Sequence, residues 1–457
     1  MITPVDILSS LLLWLVMLGF VNATNRDLPP REKRMLGLVV LLRALSTLAM
    51  MIAQFTVFAG QSDSMGYHRT GLVIASTLDT DSFTWLRQVF LLIMQVESAR
   101  LPFTVIGAGS ATGTMMGLTG LMHWVLGPGL LTVGSAYAAL AMVGTVLLYR
   151  TARRWFSHVS PGYVAAATMM VPTVLFWTGG IVKESLTLCG LGLALWGFNG
   201  VVSRMRPLAA AQALAAGVIL IYLSKPFFLV ALVAAMTAWL VGSLTRRTGV
   251  RFSSLQLVLL SGASVGAVFA LGEISGQFSV NTLVEETARL QDSGRTHSRG
   301  STIVIVDSST RSLAGQLAYS PLALFTALYR PLLVEARTAL MAVNALESTA
   351  FAVFTFAAIR AATLRGTLNR ITSSPWLQFC VIFVLLSAVG IGLATHNLGT
   401  LSRYRVPFVP IWMMSLAVIH ASGGLVGVKA TDTQSRRGRR PGGAVRRPML
   451  QPLAKVD

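Results

Sequence analysis

Directly after its second long apolar stretch the chain reads Gln61-Ser62-Asp63-Ser64-Met65-Gly66-Tyr67-His68-Arg69. A carboxylate followed within six residues by a phenol, an imidazole and a guanidinium offers a general base or metal ligand beside groups that hold anions. Asp63 could equally cap the helix that follows, and the motif alone leaves the two readings level. Further cations sit in comparable places. Pro172 to Leu186 carries Lys183-Glu184 near its end, Lys225 precedes Pro226, Arg330 and Arg337 flank Glu335, and His396, Arg403 and Arg405 crowd a short polar stretch before Pro407. For Lys183 and Glu184 the plain alternative is an interfacial ion pair of little energetic weight. Arg43 lies about two to three turns inside an apolar stretch, where a cation costs at least ~2.5 kcal/mol unless paired or hydrated. It therefore requires a polar cavity or a carboxylate, and Glu347, inside a later apolar stretch, is a candidate partner.

The elements that must position these side chains are membrane helices. The 457 residues are 54% hydrophobic and only 12% charged, against about 25% charged in soluble domains, and mean hydropathy is +0.67. Apolar stretches long enough to cross a ~30 Å hydrocarbon core recur throughout. We place about eleven spans, at 4–23, 35–59, 130–149, 162–178, 185–203, 207–223, 226–243, 254–272, 338–359, 376–395 and 406–424. The expected fold is an all-α polytopic transmembrane helix bundle, residues 1–424, with outer loops at about 60–129 and 273–337 and a basic, disordered cytoplasmic tail at 425–457.

The net charge of +20 is a topology signal before it is a partner signal. Segments on the side of Arg26, Arg150, Arg204, Arg246, Arg360 and the tail hold 23 Lys and Arg against four acids, whereas the other side holds 13 against 12. The positive-inside rule then sets the N-terminus outside and the C-terminus in the cytoplasm. It speaks for contact between the tail and anionic membrane lipids rather than nucleic acid. Cys189 and Cys380 fall within spans, so neither a disulfide framework nor a thiolate metal site is expected.

The two long outer loops are where function is sought. In the first, Trp85 to Val96 reads as an interfacial helix and the Gly-rich run Gly107 to Gly129 as a re-entrant segment. In the second, Thr302 to Val306 has a β-like pattern and Leu322 to Glu335 is amphipathic, as in a lid or substrate-reading element. Five or six cations thus gather on the side that the bulk charge avoids, which suits the binding of phosphate or another anion.

An Arg within a span followed by an outer Asp, Tyr and Arg (Arg43, Asp63, Tyr67, Arg69), a Phe-Trp hairpin ending in Lys183-Glu184, Lys225-Pro226, and Arg403-Tyr404-Arg405-Val406-Pro407 entering the last span together resemble the GT-C superfamily of integral membrane glycosyltransferases. Its bacterial polyprenyl-phosphate-sugar branch and related polysaccharide-assembly proteins are the nearest in pattern. The resemblance runs from about Leu36 to Leu416 and rests on the order and shared side of short motifs. It implies that Asp63 is the base or metal-associated acid, with Mg or Mn as an open cofactor. It also implies that Lys183, Lys225, Arg403 and Arg405 hold the lipid phosphate. Two departures count against a metal: an extra span precedes the first outer loop, and Ser64 stands where a second acid is frequent. The implied activity is transfer of a sugar from a polyprenyl-linked phosphate or diphosphate donor to a glycan or lipid acceptor, outside a bacterial cytoplasmic (inner) membrane. A Wzy-like polymerase or ligase relying on outer arginines is the rival from the same biology. A transporter or flippase, or a structural membrane subunit, is the rival from another class, although no internal repeat or matched pair of broken helices points to transport.

Overall fold

The computed structural model describes residues 3–248 and 312–421, with isolated positions between 259 and 289. The expected span 254–272, most of the loop 273–337 with its β-like run, and the tail after residue 421 lie outside the described residues. Within them the fold is an all-helical membrane bundle with eight helices long and apolar enough to span, or nine if one bent pair counts as a single span.

Three helices make the frame: α1 (Pro4–Thr24), α2 (Pro30–Thr56) and, after the first long loop, α6 (Leu130–Trp155). Their mutual placement is fixed by polar groups that the apolar runs carry sparingly. The buried Asp6 carboxylate accepts from the Leu131 N–H at 3.0 Å and the Thr132 N–H at 2.8 Å, and so caps α6 from another helix. Gly129, at the α6 N-cap, offers no capping side chain, and a Cβ there would overlap that carboxylate. At the far end Arg150 on α6 grips Asn25 at 2.9 Å and Asp27 at 2.7 Å, and the buried Glu32 of α2 accepts from Tyr149.

The first long loop is folded. It forms α3 (Asp63–Thr80), α4 (Ser82–Ile93) and α5 (Ala111–Leu126). The run Trp85 to Val96 is helical as far as Ile93, within α4, and the Gly-rich run becomes α5, entered through Gly107 and Gly109 at φ +79° and +75°, which glycine alone adopts readily. Ser62 caps α3 by accepting from the Met65 N–H at 3.3 Å, so Asp63 occupies the first helical turn and its carboxylate is not used as the cap.

The expected span 162–178 is instead two short helices, α7 (Pro161–Met169) and α8 (Pro172–Trp177). Pro172 has no N–H to continue α7, so the chain breaks before it and restarts. Next come α9 (Lys183–Val202), α10 (Pro207–Ser224) and α11 (Phe227–Thr248), which supply three more spans. Gly144 of α6 and Gly192 of α9 let those two backbones touch, since a Cβ on either would strike the other helix.

After the undescribed segment the chain forms α12 (Leu313–Ala318), α13 (Ser320–Tyr329), the spans α14 (Ala339–Ala362) and α16 (Pro375–Ala394) joined by α15 (Leu364–Ser373), and a final pair, α17 (Leu398–Tyr404) and α18 (Val409–Ala421). Those last two meet at 70°. Pro407 lies at the break, and it separates Arg403 on α17 from the core side of the corner.

Candidate active site

Arg403 is the hub of the site. Its Nη1 donates to Asp63 Oδ2 at 2.8 Å and its Nε to Glu184 Oε1 at 2.9 Å, so α17 is tied to the starts of α3 and α9 at one end of the bundle. The two carboxylates differ in setting. The Glu184 side chain is fully buried, whereas that of Asp63 is 60% exposed. Lys225, at the end of α10, places its ammonium 2.7 Å from the same Glu184 oxygen and 4.2 Å from the centre of the Tyr404 ring, a cation–π arrangement. Burial lowers the Lys225 pKa, and Glu184 opposes that shift.

Lys183 donates to Thr112 Oγ1 at 3.0 Å, and Tyr67 is hydrogen-bonded to the same threonine. Burial raises the Tyr67 pKa, and the neighbouring Asp63 pushes it the same way. Nothing in the sequence pattern around Thr112 marked it. Its place is set by Ser110, which caps α5, and by Gln95, which donates to Leu223 O at 3.0 Å and Thr114 Oγ1 at 3.1 Å and so docks the first loop against the end of α10. Asp63, Tyr67, Lys183, Glu184, Lys225 and Arg403 therefore converge, three cations against two carboxylates.

Beside this cluster opens a cavity of ≈350 Å³, within the usual range for small-molecule sites. Gln54, Asp63, Trp177, Asn344, Thr400 and Arg403 are among its walls, and Lys183, Glu184 and Lys225 stand behind them. Trp177 donates its indole N–H to Ser402 at 3.2 Å, and Asn344 lies 3.4 Å from the same hydroxyl, which fixes the wall opposite Asp63.

Other candidate residues are placed elsewhere. Arg405 is fully buried; it pairs with Glu347 at 3.2 Å and donates to Ser348 Oγ at 2.9 Å and Arg330 O at 3.2 Å. Glu347, which also accepts from the Thr173 N–H at the start of α8 (2.9 Å), is therefore not the partner of Arg43. Arg43 is buried without a carboxylate, donating to Thr178 Oγ1 while its Nε and Nη2 have no partner. It shares a face of α2 with Met50 and Gln54 and so lies deeper in the bundle below the cavity. Arg330 is bound to Glu335, and Arg337 is exposed. Arg69 reaches Gly60 O at 3.4 Å. His396 is half-buried, its pKa lowered by burial, and its Nδ1 lacks a partner.

His68 turns away from Asp63 and meets His123 at 2.9 Å between Nδ1 and Nε2. His123 Nδ1 lies 2.9 Å from the Gly127 carbonyl, which can only accept, so the proton sits on Nδ1 and His123 Nε2 accepts from His68. Burial, and then the facing imidazole, lower His68 to about 4; burial lowers His123 also.

Among the described residues no group of three or more His, Cys, Asp or Glu side chains converges. Asp63 faces a guanidinium at 2.8 Å, with Lys183 close by, and this donor set does not fit a resident divalent cation. No family of known proteins, no characterised protein and no solved structure matches this chain.

Proposed function

We propose that this chain is a membrane glycosyltransferase that moves a sugar from a polyprenyl-linked phosphate or diphosphate to a hydroxyl of a glycan or lipid acceptor, at the outer face of a bacterial cytoplasmic membrane, in cell-surface polysaccharide assembly. The observation that carries this reading is Arg403, held between an exposed and a buried carboxylate on the wall of a cavity at one end of the bundle. A lipid-anchored donor needs a site at the end of its membrane helices, and a phosphate leaving group needs a fixed cation.

In this reading the acceptor hydroxyl attacks the anomeric carbon as its proton passes to Asp63. The bond from that carbon to the phosphate oxygen breaks with its electron pair on the oxygen, and Arg403 stabilises the charge that develops there. Glu184 and Lys225 position Arg403, since Glu184 Oε1 is 2.9 Å from the guanidinium and 2.7 Å from the ammonium. Lys183, anchored by its 3.0 Å hydrogen bond to Thr112 Oγ1, adds a second cation beside Arg403 on the Asp63 side of the cluster.

The test is transfer of radiolabelled sugar from polyprenyl-phosphate or polyprenyl-diphosphate donors by the purified protein in proteoliposomes. Transfer by the natural sequence and its loss in Arg403→Ala, with the protein still inserted, is the expected result. Failure to transfer from, or to bind, any polyprenyl-linked sugar would overturn the reading.

A further inference from the structure

The opposite end of the bundle carries a larger cavity, ≈690 Å³, between the end of α1, the second half of α6 and the turn joining α9 to α10. Its floor is apolar. Val143 and Leu147 of α6, Phe20 of α1 and Trp196 of α9 line it, and Phe20 is half exposed. The close backbone approach of α6 and α9 at Gly144 and Gly192 holds two of its sides together.

Its rim is cationic. Arg26, Arg150, Arg154 and Arg206 all line the cavity, with Asp27 as the lone carboxylate. Asp27 is occupied by Arg150 at 2.7 Å. Arg26, Arg154 and Arg206 have no carboxylate partner among the described residues; Arg154 Nη1 donates to Met205 Sδ at 3.8 Å. Arg206 stands at φ 48°, in the left-handed region that an arginine adopts at a cost, and Pro207 follows it. This turn keeps its side chain at the rim instead of carrying it on into α10.

We propose that this cavity binds one anionic phospholipid, with the headgroup phosphate among Arg26, Arg154 and Arg206 and an acyl chain along Val143, Leu147, Phe20 and Trp196. Charge complementarity selects an anion, because unneutralised guanidinium groups around one opening repel each other. Continuity of that rim with an apolar floor selects a lipid over a free phosphate. The chain's own tail, with eight Lys and Arg against two acids after residue 424, is repelled by the same rim. The site lies at the end that the charge distribution assigns to the cytoplasm, where anionic lipids are abundant. It is separate from the Asp63 cavity, and the proposal does not depend on the reaction carried out there.

Native mass spectrometry of the purified protein, with phosphatidylglycerol or phosphatidylcholine added, tests it. The natural sequence should hold one phosphatidylglycerol tightly and phosphatidylcholine weakly. The triple variant Arg26→Ala, Arg154→Ala, Arg206→Ala should bind phosphatidylglycerol about a hundredfold more weakly, each basic group near an anionic headgroup being worth about a factor of five. Val143→Trp, which fills the floor and leaves the rim intact, should also release the lipid, with folding verified by an unchanged elution profile. Equal affinity for the two lipids, or a triple variant with undiminished affinity, would overturn the proposal. So would displacement by inorganic phosphate alone at equal concentration, which would mean an adventitious ion site.

Discussion

Arg403 holds two carboxylates, and their difference in burial predicts that removing the buried one costs stability while removing the exposed one does not. Glu184 is fully buried with Lys225 at 2.7 Å and Arg403 at 2.9 Å on one oxygen, so Glu184→Gln leaves Lys225 buried without a carboxylate and Arg403 with Asp63 alone. Breaking a buried pair by removing one partner costs about 3–5 kcal/mol. Asp63 is 60% exposed, and its pair with Arg403 is of the solvent-screened kind worth roughly 0–1 kcal/mol. Asp63→Asn keeps the side-chain shape and should leave the unfolding temperature almost unchanged. If Asp63 accepts the proton of the acceptor hydroxyl, the same substitution should lower the transfer rate about 10²–10⁴-fold. The assay is paired: thermal unfolding of both variants in one detergent, then initial rates of sugar transfer at saturating acceptor. A destabilised Asp63→Asn, or one that transfers sugar within a few-fold of the natural protein, refutes the argument. Retained activity in Asp63→Asn together with loss in Arg403→Ala would move the reading to an arginine-based polymerase or ligase.

Arg405→Leu should destabilise the fold by about 3–5 kcal/mol by leaving Glu347 buried and unpaired, and Arg405→Met with Glu347→Met should recover most of that loss; equal instability of the single and double variants in thermal unfolding counts against the buried-pair explanation. His68 has a folded pKa of about 4, below its ordinary 6.5, so between those values the unfolded chain binds the extra proton and stability falls as pH falls. His68→Gln should flatten that dependence in unfolding measured from pH 7 to pH 4, and an unchanged slope would assign it to other groups. Cys189 and Cys380 are buried, which leaves single introduced cysteines readable. Ser98→Cys should react with an impermeant maleimide from outside whole cells and Ser157→Cys only after permeabilisation, and the reverse pattern would invert the orientation.

The long spans were legible because an unbroken apolar run of membrane length has few other fates. The break at Pro172 was missed, because apolar composition carries across it and 162–178 reads as one span, while the missing N–H ends α7. For the site, the sequence grouped cations by side of the membrane and could not resolve which way each one points. Arg403 and Arg405 are two residues apart, about 200° around a helix, and α17 sends one to Asp63 and the other to Glu347 in the core. Tyr67 and His68, one step apart, likewise divide between the cluster and His123. Of the two readings at Asp63 the structure removes the cap, since Ser62 takes that place. Thr112, a short polar side chain in a Gly-rich run, and Gln95, near the end of an apolar run, were invisible because neither stands out until its docking partner is known.

The Asp6 cap joins residues 125 or more positions apart in the chain, and this imposes an order on biogenesis. At a synthesis rate of about 5–20 residues per second, roughly 6 to 25 seconds separate the emergence of α1 from that of Leu131 and Thr132. Throughout that interval α1 has been made and its carboxylate lacks the backbone donors it will eventually hold. Asp6 lies in the first turn of α1, close to the membrane surface, so it can stay hydrated while it waits. The first helix is thus kept at a defined depth until α6 arrives and takes the carboxylate out of water. Chains cut short before α6 are left with an Asp6 carboxylate that lacks the Leu131 and Thr132 N–H donors.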